Sequence, residues 1–289
     1  MKKFLVSILS IILVLSSFNL IACGNNPNKY LGHRHNGLYH GDFCEECDTI
    51  CWDSEEGYVV MELEIDSKQY FLLEVYTNNA FSMLKKNKII HSGSYSYTLN
   101  GRIKYVYIAP TITTIPSEAF DECYSLETII LSEGLKKIGE SAFSHCENLK
   151  KIDLPNSIER IGDYAFFRAP IKEIEFGSNL IEIGGAAFRE TNLTSISIPN
   201  SVEKIGAGAF SKTNIKNATI GKNVAYIGEA AFRECNKNLK VKFEEKANWF
   251  VKNDYYEHID IDKKTISNKK KAGDLLLNKY CYYEWLRTI

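Results

Sequence analysis

Residues 138–143 read Ile138-Gly139-Glu140-Ser141-Ala142-Phe143, and five other segments repeat this order of Ile, Gly or Pro, two variable residues, Ala and Phe. The six segments are 115–120, 138–143, 161–166, 183–188, 205–210 and 227–232. Their phenylalanines follow one another at spacings of 23, 23, 22, 22 and 22 residues. A period this regular indicates stacked units, because one such unit cannot bury its apolar side chains alone.

A second apolar pattern fills the intervals between these segments. It reads apolar, two variable residues, apolar, one variable residue, apolar, and it occurs at 103–108, 126–131, 149–154, 171–176, 193–198 and 215–220, with a degenerate copy that ends at 243. Alternation of apolar and polar residues predicts a short strand with one inward face. Turn residues such as Pro155-Asn156-Ser157 follow. Each unit is therefore predicted to contain a strand, a turn, a short second strand and a helical turn that carries Ala-Phe.

The repeated phenylalanines are the predicted core of the array. Stacking of the units should place them in one interior ladder, formed by Phe120, Phe143, Phe166, Phe188, Phe210 and Phe232. The fold class predicted from these patterns is an α/β-type repeat solenoid that is mainly β.

The Ile-Gly-x-x-Ala-Phe unit, with a cysteine or a small residue three positions after the Phe, resembles the BspA-type leucine-rich repeat. The resemblance covers about residues 103–243. It implies a bacterial surface protein that recognises host matrix proteins, epithelial cells or other bacteria and has no catalytic residues. The array is short for that family, so it can be either a full adhesin or a smaller accessory receptor.

The start of the chain predicts export. Lys2 and Lys3 precede an apolar stretch, residues 4–15, that is shorter than the roughly 20 residues of a membrane-spanning helix. The segment Leu20-Ile21-Ala22-Cys23 resembles the lipobox of bacterial lipoproteins, which implies cleavage before Cys23 and lipidation of its thiol. We therefore expect a lipid-anchored protein at the bacterial cell surface that contacts the membrane through its anchor alone. The alternative is an ordinary signal peptide with a chance cysteine.

Charge and motifs exclude several function classes. The formal net charge of −1 becomes −3 when Lys2 and Lys3 are removed, so no basic balance favours nucleic acid. No Gly-rich phosphate loop, His-Glu-x-x-His helix or Gly-x-Ser-x-Gly elbow is present in the sequence. We therefore do not expect an enzyme.

Five regions are predicted along the chain. They are a signal peptide (1–22), the lipidated cysteine with a flexible tether (23–57), a small β cap (58–102), the solenoid (103–243) and a C-terminal helical cap (244–289). Within the β cap, the sequence predicts a hairpin at 58–76 and a third strand at 95–99. Within the C-terminal cap, an amphipathic helix is predicted at 272–285.

The third and fifth positions of each predicted strand should face solvent on the concave side of the array. The predicted ligand-binding residues are Tyr105, Tyr107, Thr128, Ile130, Lys151, Asp153, Glu173, Glu175, Ser195 and Ser197. Seven strands give a surface about 29 Å across, which is enough for an extracellular protein or a glycan. Two alternatives stay open: these are ordinary polar sheet residues without a ligand, and the protein is a structural envelope lipoprotein.

Histidines and cysteines are concentrated before the β cap. Residues of these types can bind zinc, the one cofactor that the sequence raises, and the candidate ligands are His33, His35, His40, Cys44, Cys47 and Cys51. Exported proteins more often pair cysteines as disulfides, and free thiols are a third alternative, so a metal-binding or redox function stays an alternative hypothesis. In the repeats, Cys123, Cys146 and Cys235 are predicted to be small core residues, with a disulfide between Cys123 and Cys146 as the alternative.

Overall fold

A computed structural model describes residues 43–44, 49–50, 58–65, 68–86, 100–245, 247–252 and 258–287. The strands before and within the first repeats are β1 (Phe43–Cys44), β2 (Thr49–Ile50), β3 (Tyr58–Ile65), β4 (Lys68–Val75), β5 (Ile103–Ile108), β6 (Thr114–Ile115), β7 (Thr128–Leu131), β8 (Lys137–Ile138) and β9 (Arg160–Ile161). The later strands are β10 (Glu182–Ile183), β11 (Ser195–Ser197), β12 (Lys204–Ile205), β13 (Asn217–Ile220), β14 (Tyr226–Ile227), β15 (Lys240–Phe243), β16 (Trp249–Lys252), β17 (His258–Ile261) and β18 (Glu284–Arg287).

The helices are short and lie outside the repeats. They are α1 (Ala80–Lys86), α2 (Lys263–Ser267) and α3 (Lys269–Asp274), together with a 3-10 turn at Asn100–Arg102 and a π-helical turn at Leu275–Lys279. The predicted fold class is confirmed, because the chain is a mainly β repeat solenoid with a small β cap at its start and short helices near its end.

Two sets of strands stack the repeats. The short second strands of all six units pair in parallel and in register within one nine-stranded sheet, in the order β6-β8-β9-β10-β12-β14. The first strands of the repeats lie in two sheets. Strands β5 and β7 extend the β3-β4 hairpin of the cap into a four-stranded sheet, β3-β4-β5-β7, and the later ones form a three-stranded sheet, β11-β13-β15. We call the outward third and fifth positions of these first strands and their equivalents the concave face.

The interior phenylalanine ladder is confirmed. All six rings are fully buried, and neighbouring rings stack with centroids 5.2–5.6 Å apart. The four inner rings, Phe143 to Phe210, therefore bury both faces against the units before and after them, so the units depend on one another for their core.

The predicted helical turn around each Ala-Phe is wrong. Each unit instead has two residues with left-handed φ, such as Glu118 (φ 59°) and Glu122 (φ 58°) in the first unit. In the fifth unit one of the two is a glycine, Gly208. The amide nitrogens of Glu118, Phe120 and Glu122 donate to carbonyls of the next unit, at 2.8, 2.8 and 2.9 Å. The amides between them, of Ala119, Asp121 and Cys123, donate within the same turn at 3.3–3.4 Å. Alternate amides are therefore satisfied by the next unit, and the periodicity of the sequence does not reveal that partner.

The glycine that recurs in the motif is explained by the close approach of the backbones of successive units. A Cβ atom at Gly162 would lie 2.7 Å from the backbone nitrogen of Glu140 and 2.7 Å from the carbonyl carbon of Gly139. The first unit has Pro116 at the equivalent position. Each later unit needs glycine here because the backbone of the preceding unit occupies the space of a side chain.

The concave sheet is interrupted in its middle, where a strand was predicted in every unit. Residues 149–154 and 171–176 are not strands, and the backbone hydrogen bond from Lys172 N to Lys150 O is long, at 3.4 Å. At this junction Lys172 follows Lys150 and Glu175 follows Asp153 in the repeat. Glu173 follows Lys151 at the third position, so this junction combines two neighbouring pairs of like charge with one of opposite charge, and charge alone does not account for the interruption. The second strands keep these units in register.

The N-terminal cap continues the concave sheet. The predicted hairpin is present, with β3 and β4 antiparallel, and β4 pairs in parallel with β5. Phe81 of α1 is 2% exposed and covers the first ring of the phenylalanine ladder. The predicted third strand at 95–99 and the predicted signal peptide lie outside the described residues. Within the predicted tether, β1 and β2 form a short antiparallel pair.

The predicted helix at 272–285 is wrong in its second half. Helix α3 ends at Asp274, a π-helical turn follows, and Trp285 lies in β18. Strand β18 pairs with β14 of the last repeat and with β16, so Trp285 is buried at the end of the array. The edge that β14 of the last repeat would otherwise leave open thus determines the conformation of this segment, and the apolar spacing alone did not predict it.

Candidate functional site

The concave face begins in the cap, one strand earlier than the repeats predict. Because β4 pairs with β5, Glu74 lies beside Tyr107, and Tyr107 lies beside Ile130 of β7. Tyr76 follows directly after β4, and its ring meets the ring of Tyr107 edge to face, with centroids 6.2 Å apart. Glu74 and Tyr76 are therefore candidate site residues that sequence reasoning missed.

The alternation of apolar residues in the sequence indicates the outward face on which both missed residues lie. In the second half of the predicted hairpin the apolar residues Phe71, Leu73 and Val75 alternate along the chain, so they share one face of that strand and leave Glu74 on the other. The missing information was the identity of the strand beside β4, because local residue patterns do not show that β4 pairs with β5.

The aromatic end of the concave face is held in place by its neighbours. Tyr105 and Tyr107 are half-buried, and the Lys104 Nζ lies 6.0 Å from the centroid of the Tyr105 ring. The hydroxyl of Tyr76 donates to Glu74 Oε2 at 2.6 Å. Rings that are already ordered lose little conformational entropy when a partner binds, and tyrosine is enriched among residues that dominate binding energy.

The carboxyl group of Glu74 is chemically distinct from the others on this face. Burial raises the pKa of Glu74, and the hydrogen bond from Tyr76 acts in the opposite direction and lowers it. Glu74 is therefore a half-buried acceptor for the hydroxyl of Tyr76, a residue that is itself 39% exposed.

The middle of the concave face is charged. Thr128 and Ile130 are half-buried, whereas Lys151 and Asp153 are exposed and form an ion pair at 2.8 Å. Both carry extended exposed side chains, so this pair adds little to stability. The pair does neutralise Lys151, which is the only basic residue among the predicted site residues.

Glu173 and Glu175 are the predicted site residues with uncompensated charge. Both side chains are exposed, and within residues 100–245 neither has an ion-pair partner. Glu175 lies one repeat after Asp153 at the equivalent position. At the third and fifth positions of the two interrupted segments, three carboxylates therefore stand against one lysine, whereas Lys150 and Lys172 lie at the second positions.

The C-terminal half of the concave face is small and polar and ends in lysines. Ser195 and Ser197 are exposed, as predicted for outward positions of β11. Lys240 and Lys242 are exposed on β15, and Lys242 Nζ lies 2.7 Å from Glu244 Oε1. The face thus runs from aromatic through acidic to basic.

The cysteines within the repeats have free thiols. Cys123 and Cys146 lie in the core, as predicted, and Cys235 is half-buried. Cys123 and Cys146 are free and fully buried, so the alternative of a disulfide between them is wrong. The Cys146 thiol donates to Phe120 O at 3.2 Å. Cys235 is also free and shares a 3.2 Å contact with the Thr213 hydroxyl.

The predicted zinc ligands or disulfide cysteines fall almost entirely outside the described residues. His33, His35, His40, Cys47 and Cys51 are not described, and Cys44 is described by its backbone, which pairs with Thr49 in β1 and β2. Both alternatives for this segment stay predictions. The described ranges contain no group of three or more metal-binding side chains.

Ser144, His145 and Asp121 lie together on the turn edge of the array but do not form a catalytic triad. Ser144 Oγ lies 2.9 Å from His145 Nδ1, and Asp121 Oδ1 lies 3.8 Å from the same nitrogen. Nε2 of His145 instead faces Arg168 Nη1 at 3.4 Å. A triad needs serine and carboxylate on opposite ring nitrogens, and Ser144 is buried, so this arrangement cannot activate an accessible nucleophile.

Stacked units with an open, outward sheet face define a leucine-rich-repeat solenoid. The model of the BspA type leucine rich repeat region matches residues 88–211 and 161–283, with six copies, and these ranges together cover more than half of the chain. The chain belongs to the BspA-type leucine-rich-repeat family, as the sequence resemblance predicted.

Several solved structures of bacterial leucine-rich-repeat proteins are similar to this chain. A leucine rich cell surface protein from Faecalibacterium prausnitzii A2-165 is 20% identical with a TM-score of 0.49, over 72% of this chain and 60% of that one. The T. pallidum leucine rich repeat protein TpLRR is 23% identical with a TM-score of 0.46, over 64% of this chain and 80% of that one. The pneumococcal vaccine antigen PcpA is 27% identical with a TM-score of 0.41, over 58% of this chain and 41% of that one.

No curated protein sequence matches this chain. Across the part of the chain that the structure describes, no helix is both long and apolar enough to cross a bilayer.

Proposed function

We propose that this protein binds an extracellular protein or glycan at the surface of a bacterium through its concave face. The observation that carries the proposal is the row of outward side chains, from Tyr107 to Lys242, that an ordered cap extends at one end. Solenoids of this kind bind partners over such open faces. Tyrosine is enriched among the residues that dominate binding energy at interfaces, and in antibody binding loops serine supplies adaptable hydrogen bonds.

The proposed location rests on the N-terminal sequence. Leu20-Ile21-Ala22-Cys23 matches the lipobox pattern, and a multiply acylated Cys23 would hold the protein stably at a membrane. The BspA-type repeats support a surface location, because the family is one of bacterial surface proteins. We expect Cys23→Ser to remain unlipidated and to leave the membrane fraction, whereas Cys235→Ser should remain there.

A binding role is favoured over catalysis. The Ser-His-Asp cluster at His145 has the wrong geometry to activate a nucleophile. The stacked strands instead present an extended open surface, which is the kind of surface that solenoids use to contact large partners.

The test is binding of the full chain, purified in detergent, to arrays of host matrix proteins and glycans. Tyr105→Ala/Tyr107→Ala should lose the bound partner, since truncation of tyrosines at an interface costs about 2 kcal/mol or more. Tyr124→Ala/Tyr164→Ala is the matched control, because these two tyrosines are exposed on the turn edge. Equal loss in both variants, with folding verified by circular dichroism, would place binding elsewhere. An array without any bound partner would contradict the proposal and favour a structural envelope role.

A further inference from the structure

One side of the concave face combines aromatic rings with carboxylates from the cap to the fourth repeat. The fifth-position side chains there are Glu74, Tyr107, Ile130, Asp153 and Glu175, which we call the acidic-aromatic row. The first basic residue at an equivalent position is Lys242, three repeats further on. The row therefore differs in charge from the end of the same face.

The geometry of the acidic-aromatic row fits an extended chain. Three repeat steps of about 4.8 Å separate the position of Tyr107 from that of Glu175, a distance of about 14 Å. Four extended residues span this distance at about 3.4 Å each. A short segment that crosses the strands can thus contact the tyrosines and the glutamates at once.

The cap increases the negative character of the aromatic end. Glu74 lies beside Tyr107 in the sheet, and its carboxylate accepts a hydrogen bond from Tyr76. The rings of Tyr76 and Tyr107 meet edge to face, which leaves part of the Tyr76 ring exposed. An exposed aromatic face attracts ammonium and guanidinium groups.

The lysines near the row do not cancel its charge. Lys151 is bound to Asp153 at 2.8 Å, and this pair leaves the charges of Glu173 and Glu175 uncompensated. Lys150 and Lys172 occupy second positions, about 10 Å along the strand direction from the fifth positions. Charge complementarity therefore favours a cationic partner and disfavours an anionic glycan.

We propose that the acidic-aromatic row, with Tyr76 and Glu173, binds a cationic segment of an extracellular protein. Lysine or arginine side chains of that segment pair with Glu173 and Glu175, and one of them, or an apolar side chain, packs on Tyr76 and Tyr107. This inference rests on the proposed binding function and specifies its partner.

The experiment measures binding of a fluorescent octapeptide of alternating Lys and Leu to the full chain in detergent, by fluorescence anisotropy. The comparison probes are the matching Glu and Leu peptide, neutral maltohexaose and heparin. We expect Glu173→Gln/Glu175→Gln to weaken binding of the Lys peptide about fivefold at low salt. The loss should shrink at about 0.15 M salt, where exposed charges are screened.

Matched variants separate this site from general charge attraction. Glu140→Gln/Glu203→Gln removes two exposed carboxylates elsewhere and should leave the affinity within about twofold. Tyr76→Ala should weaken binding severalfold, whereas Tyr164→Ala, on the turn edge, should not. Equal effects of the two glutamate pairs, or tighter binding of heparin or maltohexaose than of the Lys peptide, would overturn the inference.

The inference and the proposed function fail in different ways. If an extracellular partner is lost in Tyr105→Ala/Tyr107→Ala but retained in Glu173→Gln/Glu175→Gln and Tyr76→Ala, the concave face binds and the cationic partner is wrong. If neither the array partners nor the Lys peptide bind the folded chain, both proposals are wrong.

Discussion

The ring of Phe81 meets the ring of Phe120 edge to face, with centroids 6.1 Å apart and planes at 76°. The next five contacts along the ladder are stacked, with interplanar angles between 4° and 22°. Phe81 therefore ends the stack by presenting an edge where another repeat would present a face. The cap closes the core at this end with a side chain from α1.

Replacement of Phe81 by Ala should uncover the first ring of the ladder. Because Phe81 is 2% exposed, we expect Phe81→Ala to lower the free energy of unfolding by about 3 kcal/mol. Urea unfolding followed by circular dichroism measures the change. Ser82→Ala changes an exposed neighbour on the same helix and should have almost no effect. A similar loss in both variants would contradict a specific role of Phe81.

A methyl group at Gly162 should disturb the stacking of two units. The Cβ atom would meet backbone atoms at 2.7 Å, so the repeats must separate, and we expect Gly162→Ala to cost about 2 kcal/mol. Gly101→Ala is the control, because a Cβ atom there has nothing within 4 Å. Thermal unfolding of both variants tests the prediction, and an unchanged midpoint for Gly162→Ala would refute the close approach.

Glu190 should contribute stability that acid removes. The hydrogen bond from Arg168, at 2.8 Å, is the main reason that the pKa of Glu190 lies below its ordinary value of 4.5. A carboxyl group whose pKa is lower in the folded state stabilises the fold above 4.5 and loses this effect as pH falls through the folded pKa. The pair is partly exposed, so its contribution is about 1 kcal/mol or less.

The pH dependence of Glu190→Gln makes this measurable. Urea unfolding should show the variant less stable than the wild type near neutral pH and equally stable in acid. Glu203→Gln, an exposed carboxylate on another edge, serves as the comparison. If the difference in unfolding free energy between the wild type and Glu190→Gln grew as the pH fell, the prediction would be wrong.

The two core thiols should be inert in the folded protein. Burial raises the pKa of Cys123 and of Cys146, and it raises the pKa of Cys235 to about 11. Since the thiolate is the reactive form, we expect iodoacetamide at mildly alkaline pH to leave Cys123 and Cys146 unmodified until urea unfolds the chain. Peptide mass spectrometry identifies the modified positions. Rapid modification of the native protein would show that these units open.

The sequence by itself determined the repeat, the interior ladder and the outward positions. Phe143 and its equivalents recur at a fixed period, and a stacked array is the arrangement that buries all of them at once. Alternation around Ile196 likewise placed Ser195 and Ser197 on the outer face, where the structure has them. Each of these features depends on local spacing, which the sequence states directly. Whether those outward residues bind a ligand stays a prediction.

The tertiary structure alone decided which segments become neighbours. Glu74 and Tyr76 join the concave face because β4 pairs with β5, and Trp285 enters a strand because the last repeat leaves an edge open beside it. In the turn around Phe120, the amides of Glu118, Phe120 and Glu122 donate to the following unit, so these amides need no partner within a helix. Pairing between distant segments depends on the free energy of the assembled core and sheet edges, which local residue patterns do not record.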